Sequence, residues 1–118
     1  DLESSHLREQ GFRTAMEKAG VPVDPALVRI GGYRRESADR PAHELLELSD
    51  RPTAVFAAND LMAIATLEAA ADLGITVPDA VAVVGFDDIP EAALTAPPLT
   101  TVAQPIQRMG SEAIGLLV

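Results

Sequence analysis

NDLMAIATLEAAADLGITVPDAVAVVGFDDIPEAALTAPPLTTVAQ, residues 59–104, decides how this chain folds. Asn59 and Asp60 are both good N-cap residues and Gly74 is a good C-terminal stop. Between them Leu61, Ile64, Ala65 and the run 68–73 follow helical periodicity, which predicts a helix over residues 60–73. The run from Val81 to Phe86 is continuously apolar, as a strand covered on both faces should be. Asp87 and Asp88 follow at once, so two carboxylates sit where that strand ends. Pro97 and Pro98 then break the chain before an extended segment over residues 99–104.

Upstream the same grammar repeats. Strands are predicted at residues 27–30, 53–57 and 81–85, with helical segments at 37–48 and 60–73 in the two gaps. This is the spacing of βαβ units, which implies an α/β fold: a parallel sheet flanked by helices, with right-handed crossovers. An opening helix over residues 6–19 places Phe12, Ala15, Met16 and Ala19 at i, i+3, i+4 and i+7, and Gly20 and Pro22 close it. Such a helix would ordinarily follow a strand of its own, and residues 1–5 are too short and too polar to be one. The chain is therefore expected to be part of a longer protein. Downstream, Ile106, Met109, Ala113, Ile114 and Leu117 predict a final amphipathic helix over 105–118.

Composition narrows the chemistry. The 118 residues, 47% hydrophobic, suffice for one compact unit. A net charge of -9 sets this stretch against phosphate backbones, so it is not itself a nucleic-acid binder. Lys18 is the only lysine, which leaves little for a phosphate-cradling loop or a Schiff base, and the absence of cysteine removes thiol chemistry and Cys-based zinc sites. No run is long enough to span a membrane. His6 and His43 show no metal-like spacing and no orienting carboxylate pattern, and both read as surface residues. No cofactor is expected.

In an open parallel sheet, ligands bind outside the carboxyl ends of the strands. There the chain places Tyr33 after the first strand, Asn59 and Asp60 after the second, and Asp87 and Asp88 after the third. Arg8 lies near the start of a helix that should begin on the same rim. A ring for stacking, an amide, a carboxylate and a planar guanidinium suit a polyhydroxylated or heterocyclic small molecule. Each has a plainer reading as well: Asn59 and Asp60 as helix caps, Asp87 and Asp88 as solvated turn residues, Tyr33 as a packing residue at the sheet margin, Arg8 as a surface side chain. The two adjacent acids could also hold Mg²⁺ for phosphoryl transfer, but the further strand-end Asp and the lysine clamp of such sites have no candidates here. There is no Gly-x-Ser-x-Gly elbow either, and the chain is read as a non-enzyme.

The ordered set Arg8-x-x-Gly11-Phe12, Gly32-Tyr33, Pro52-Thr53-Ala54, Ala58-Asn59-Asp60-x-Met62-Ala63, Gly74-x-x-Val77-Pro78-Asp79, Val84-Gly85-Phe86-Asp87-Asp88 and Pro97-Pro98-Leu99-Thr100-Thr101-Val102-x-Gln104 resembles the effector-binding domain of LacI-family (lactose repressor type) transcriptional regulators. The resemblance runs over nearly the whole chain. It implies a periplasmic-binding-protein type I fold of two α/β subdomains, of which residues 1–104 correspond to the C-terminal one. The first strand and most of the partner subdomain are absent, and residues 105–118 correspond to a helix that returns to that partner. By the same comparison the ligand-binding residues are Arg8, Tyr33, Asn59, Asp87 and Gln104, whereas Asp60 and Asp88 are structural. Ala65 departs from the glycine common in the family at that point. The implied protein is a cytoplasmic, homodimeric regulator sensing a small effector, a sugar or a purine-like compound, and contacting operator DNA through an N-terminal domain outside this chain. Exposed apolar residues on helix 60–73, Ile64 among them, are the candidates for its dimer interface. An extracytoplasmic solute-binding protein of the same fold is the alternative.

Overall fold

A computed structural model describes residues 2–103. Its elements in order are α1 (Leu2–Lys18), a 3₁₀ turn (Pro25–Leu27), α2 (Arg35–Leu46), β1 (Ala54–Phe56), α3 (Asp60–Asp72), β2 (Ala82–Val84) and a second 3₁₀ turn (Pro90–Leu94). β1 and β2 pair in parallel, with Ala54 opposite Ala82 and Phe56 opposite Val84, joined through α3. The segment after the two prolines lies along the other edge of β2: Val84 bridges Thr100 and Asp87 bridges Ala103, both in parallel. The amides of Gly85 and Asp87 donate to the carbonyls of Thr100 and Val102, each at 2.9 Å. The extended run expected beyond Pro98 is thus a third, looser line of the sheet. Gln104 and the predicted helix 105–118 lie outside the described residues.

α3 is the centre of the unit. Asn59 caps it, its side-chain oxygen accepting from the Met62 amide at 3.0 Å. Gly74, at φ 69, ends it in a left-handed residue, and the Ile75 amide closes back onto the Ala70 carbonyl at 2.8 Å. Between these ends Met62, Ala63, Ile64, Ala65, Thr66, Leu67, Ala69 and Ala70 are all buried, because α3 packs against both α2 and β2. Its alanines let the layers approach closely. This corrects the expectation for Ile64, which is only 6% exposed and belongs to the core with Ala38, Val83 and Leu99, whereas Leu61 and Leu73 stay exposed. A second cluster, Leu46, Ala69, Ile75 and Val81, fills the opposite end of the layer.

The strand expected at residues 27–30 does not form among the described residues. Asp24 accepts from the Ala26 amide at 2.9 Å and Pro25 fixes the next φ, so the chain enters a 3₁₀ turn that consumes Leu27. Val28 is extended, but no ladder engages it, and Ile30 is 91% exposed. α1 meets the sheet through Phe12, whose ring stacks on Phe56 with centroids 5.4 Å apart, and through Arg8. No helix among the described residues is long and apolar enough to cross a membrane.

Candidate functional site

The carboxyl ends of β1 and β2 open onto a rim where polar side chains meet. Arg8, in the second turn of α1, reaches across to it. One guanidinium nitrogen donates to the Ala58 carbonyl at 2.6 Å and the other to Asp87 Oδ1 at 2.9 Å. Its Cζ lies over the Phe86 ring, 4.4 Å from the centroid. The pair is partly shielded, with side chains 15% and 25% exposed, so the attraction is less screened than at an open surface. Asp87 is presented by a backbone at φ 124, and its amide is bound to the segment beyond the prolines.

Asn59 occupies the next position along the rim. Its oxygen caps α3, and its nitrogen donates to the Tyr33 carbonyl at 3.1 Å, so this one amide starts a helix and pins the neighbouring loop. The capping role held as an alternative is therefore real, and a second duty accompanies it. Tyr33 sits at φ 60, half-buried, packed against the core that Ala38 and Met62 share. The structure thus gathers Arg8, Tyr33, Asn59 and Asp87 on one edge, with the backbone step Ala58–Asn59 between the two pairs. Gln104 lies outside the described residues. A shallow groove bordered by Leu7, Gln10, Gly11, Thr14, Ala15 and Lys18 runs along α1, away from this chemistry. Functional weight belongs with the convergent polar groups rather than with the concavity.

Asp60 is the residue whose part the sequence did not disclose. It does not cap α3, since Asn59 does. Its carboxylate is fully buried and accepts from the Ile89 amide at 2.9 Å and from the Thr101 hydroxyl at 2.6 Å. Gly85 makes room for it: a Cβ there would collide with Asp60 Oδ1 and stand 3.1 Å from Ala63 Cβ.

His43 also departs from its surface reading. It is half-buried at the far end of α2. Nδ1 lies 2.9 Å from the Asp39 carbonyl and 3.4 Å from Asp39 Oδ1, and Nε2 lies 3.3 Å from Asp72 Oδ2 of α3. The three side chains are close enough to be a metal-ligand set among the described residues. The two carboxylates, however, flank opposite ring nitrogens, an arrangement that suits a doubly protonated imidazolium better than a single ion.

The periplasmic binding protein-like domain model matches residues 1–118. The HTH-type transcriptional regulator DegA of Bacillus subtilis (strain 168) is 50% identical over 105 residues, 89% of this chain and 31% of its own length. Among solved structures, a regulatory protein of the LacI family from Chloroflexus aggregans superposes with a TM-score of 0.89 at 38% identity, covering 93% of this chain and 40% of that one. The transcriptional regulator CelR in complex with cellobiose superposes with a TM-score of 0.84 at 42% identity, over 92% of this chain and 33% of that one. The chain spans about a third of the length of the curated relatives it matches.

Proposed function

From the premise that this chain belongs to the periplasmic binding protein-like domain family, in the form LacI-family regulators carry, we propose that it is the ligand-sensing portion of such a regulator. It forms one wall of a cleft for a small polyhydroxylated effector. The observation that carries this reading is the Arg8–Asp87 pair at 2.9 Å over Phe86, beside Asn59 and Tyr33 at the carboxyl ends of parallel strands. A guanidinium and a carboxylate held side by side offer a donor and an acceptor to adjacent hydroxyls, and aromatic faces supply the apolar complement that a sugar ring needs. Asp87 answers to a guanidinium, which speaks against a Mg²⁺ site for phosphoryl transfer. That CelR was solved with cellobiose supports a sugar as the class.

On this reading the effector acts by favouring one orientation of two subdomains and so changes operator affinity through a DNA-binding region elsewhere in a cytoplasmic homodimer. The Ile64 face of α3 is not the dimer surface, since the unit itself buries it.

The test is titration calorimetry on the full-length protein with cellobiose, glucose and adenosine. Binding of one of them is expected. Arg8→Ala and Asp87→Ala should each weaken it by at least about 100-fold, the ~3 kcal/mol typical of removing one partner from a desolvated charge pair. Unchanged affinity in both variants would overturn the assignment of the site.

A further inference from the structure

Asp87 and Asp88 are successive non-glycine residues at positive φ, 124 and 59, a backbone that L residues adopt only when their surroundings impose it. Besides the bond from the Asp87 amide to the Val102 carbonyl, two tethers hold the turn, and both converge on Asp60. The Asp88 amide donates to Thr101 Oγ1 at 3.2 Å, and the Thr101 hydroxyl donates onward to Asp60 Oδ1 at 2.6 Å. One residue later the Ile89 amide donates to the other oxygen, Asp60 Oδ2, at 2.9 Å. Asp60 is rigid in turn: it sits in the first turn of α3, where the helix N-terminus favours a carboxylate, and Gly85 leaves it a close-fitting slot.

We propose that Asp60, acting with Thr101, is the positioning residue of the rim: the pair clamps the left-handed Asp87–Asp88 turn between α3 and the segment 99–103, and so holds Asp87 in front of Arg8. Neither residue touches the effector. The proposal rests on the effector reading for its consequence in binding, though not for the clamp itself. The residue types follow from the donors. Both carboxylate oxygens face hydrogens, so an acceptor-only side chain is required, and an asparagine would turn its NH₂ toward the Ile89 amide or the Thr101 hydroxyl. Thr101 must both accept and donate, which a hydroxyl does and a methyl cannot. The clamp also joins the rim to the line of chain that leads on toward Gln104, so displacement of that line would reach the turn both through Thr101 and through the direct bond from the Asp87 amide to the Val102 carbonyl.

Thr101→Val keeps the volume and removes both bonds. In the full-length protein, hydrogen exchange of residues 86–90 is expected to accelerate at least about tenfold, while exchange of residues 62–70 stays unchanged. Affinity for whichever of cellobiose, glucose or adenosine the wild type binds should fall by about tenfold, and Thr101→Ser should restore both readings. Thr66→Val is the matched control. It removes a buried hydroxyl that donates to the Met62 carbonyl at 2.9 Å within α3, and it should leave residues 86–90 and the affinity alone. Unaltered exchange of residues 86–90 in Thr101→Val would overturn the clamp, whatever the ligand does. Faster exchange with unaltered affinity would overturn its role in positioning. Failure of all three compounds to bind the wild type would count against the effector reading alone, and exchange would still decide the clamp.

Discussion

The two ends of the sheet meet the same backbone demand with different residues. At the amino ends of the strands α3 must stop, and the left-handed residue that stops it is Gly74, which takes φ 69 at little cost. At the carboxyl ends the left-handed residues include Tyr33, Asp87 and Asp88, which are all the non-glycine residues at positive φ among those described. Each such residue costs on the order of 1 kcal/mol or more, which glycine would avoid. Polar burial divides in the same way. The rim contains a fully buried carboxylate, Asp60, with both oxygens occupied, whereas the far end leaves Asp39 and Asp72 largely in water around His43. Where only helices need closing, the chain uses the residue with least strain. Where a side chain must be presented at a set angle, it keeps the side chain and carries the strain.

The harshest way to break this contrast is at Gly85, which has no left-handed φ and is glycine purely for space. Gly85→Ala would drive a methyl into Asp60 Oδ1, with Ala63 and Leu99 closing the other exits. Asp60 cannot move without leaving the Ile89 amide and the Thr101 hydroxyl unpaired. A loss of about 3 kcal/mol, the upper end of overpacking costs, is expected in urea unfolding. A loss under ~0.5 kcal/mol would mean that the rim yields easily and that the strain there is not enforced by packing.

A smaller and opposite effect sharpens the comparison. Asp88 is exposed, and its tether to Thr101 runs through its backbone amide. Asp88→Gly should therefore keep the tether, relieve the left-handed penalty and raise stability by about 0.5–1 kcal/mol, net of the entropy glycine adds to the unfolded chain. Effector affinity should not change. Destabilisation instead would show that the Asp88 carboxylate, and not the turn alone, matters at the rim.

Legibility followed the distance over which each interaction acts. α3 could be read because Asn59, Gly74 and the apolar run between them act within a few residues. β2 could be read because a strand with chain along both edges and α3 packed on it leaves an unbroken apolar stretch. The rim residues Asn59 and Asp87 were nameable because strand ends in a parallel sheet must gather, whereas Tyr33 was named through a strand that does not form among the described residues and Arg8 through the start of its helix. How they connect was not legible, since Arg8 meets Asp87 across 79 positions and Asp60 meets Ile89 and Thr101 across 29 and 41. The misreading of residues 27–30 had a visible warning in Asp24-Pro25, a turn signal that outranks a short segment whose apolar run is broken by Arg29. Ile64 was misplaced because periodicity shows that a helix has an apolar face and is silent on whether a second layer covers the rest.

His43 gives the mildest test of the contrast, at the far end of the layer. The Asp39 backbone carbonyl, 2.9 Å from Nδ1, is the main influence holding its pKa above the usual 6.5, and the carboxylates of Asp39 and Asp72 add to it against partial desolvation. These are the charged groups in contact with the ring from α2 and from α3. Because the folded state binds this proton more tightly than the unfolded chain, the contribution to stability is fully present below about pH 6.5 and is lost as pH rises through the folded value. The melting temperature of the wild type should thus fall more between pH 6 and pH 8 than that of His43→Gln, while affinity at the rim shows no matching difference. A pH response that persists in His43→Gln would place the titrating group elsewhere. One that also altered effector affinity would mean that the two ends of the layer are coupled through α3, and that the division of labour between them is incomplete.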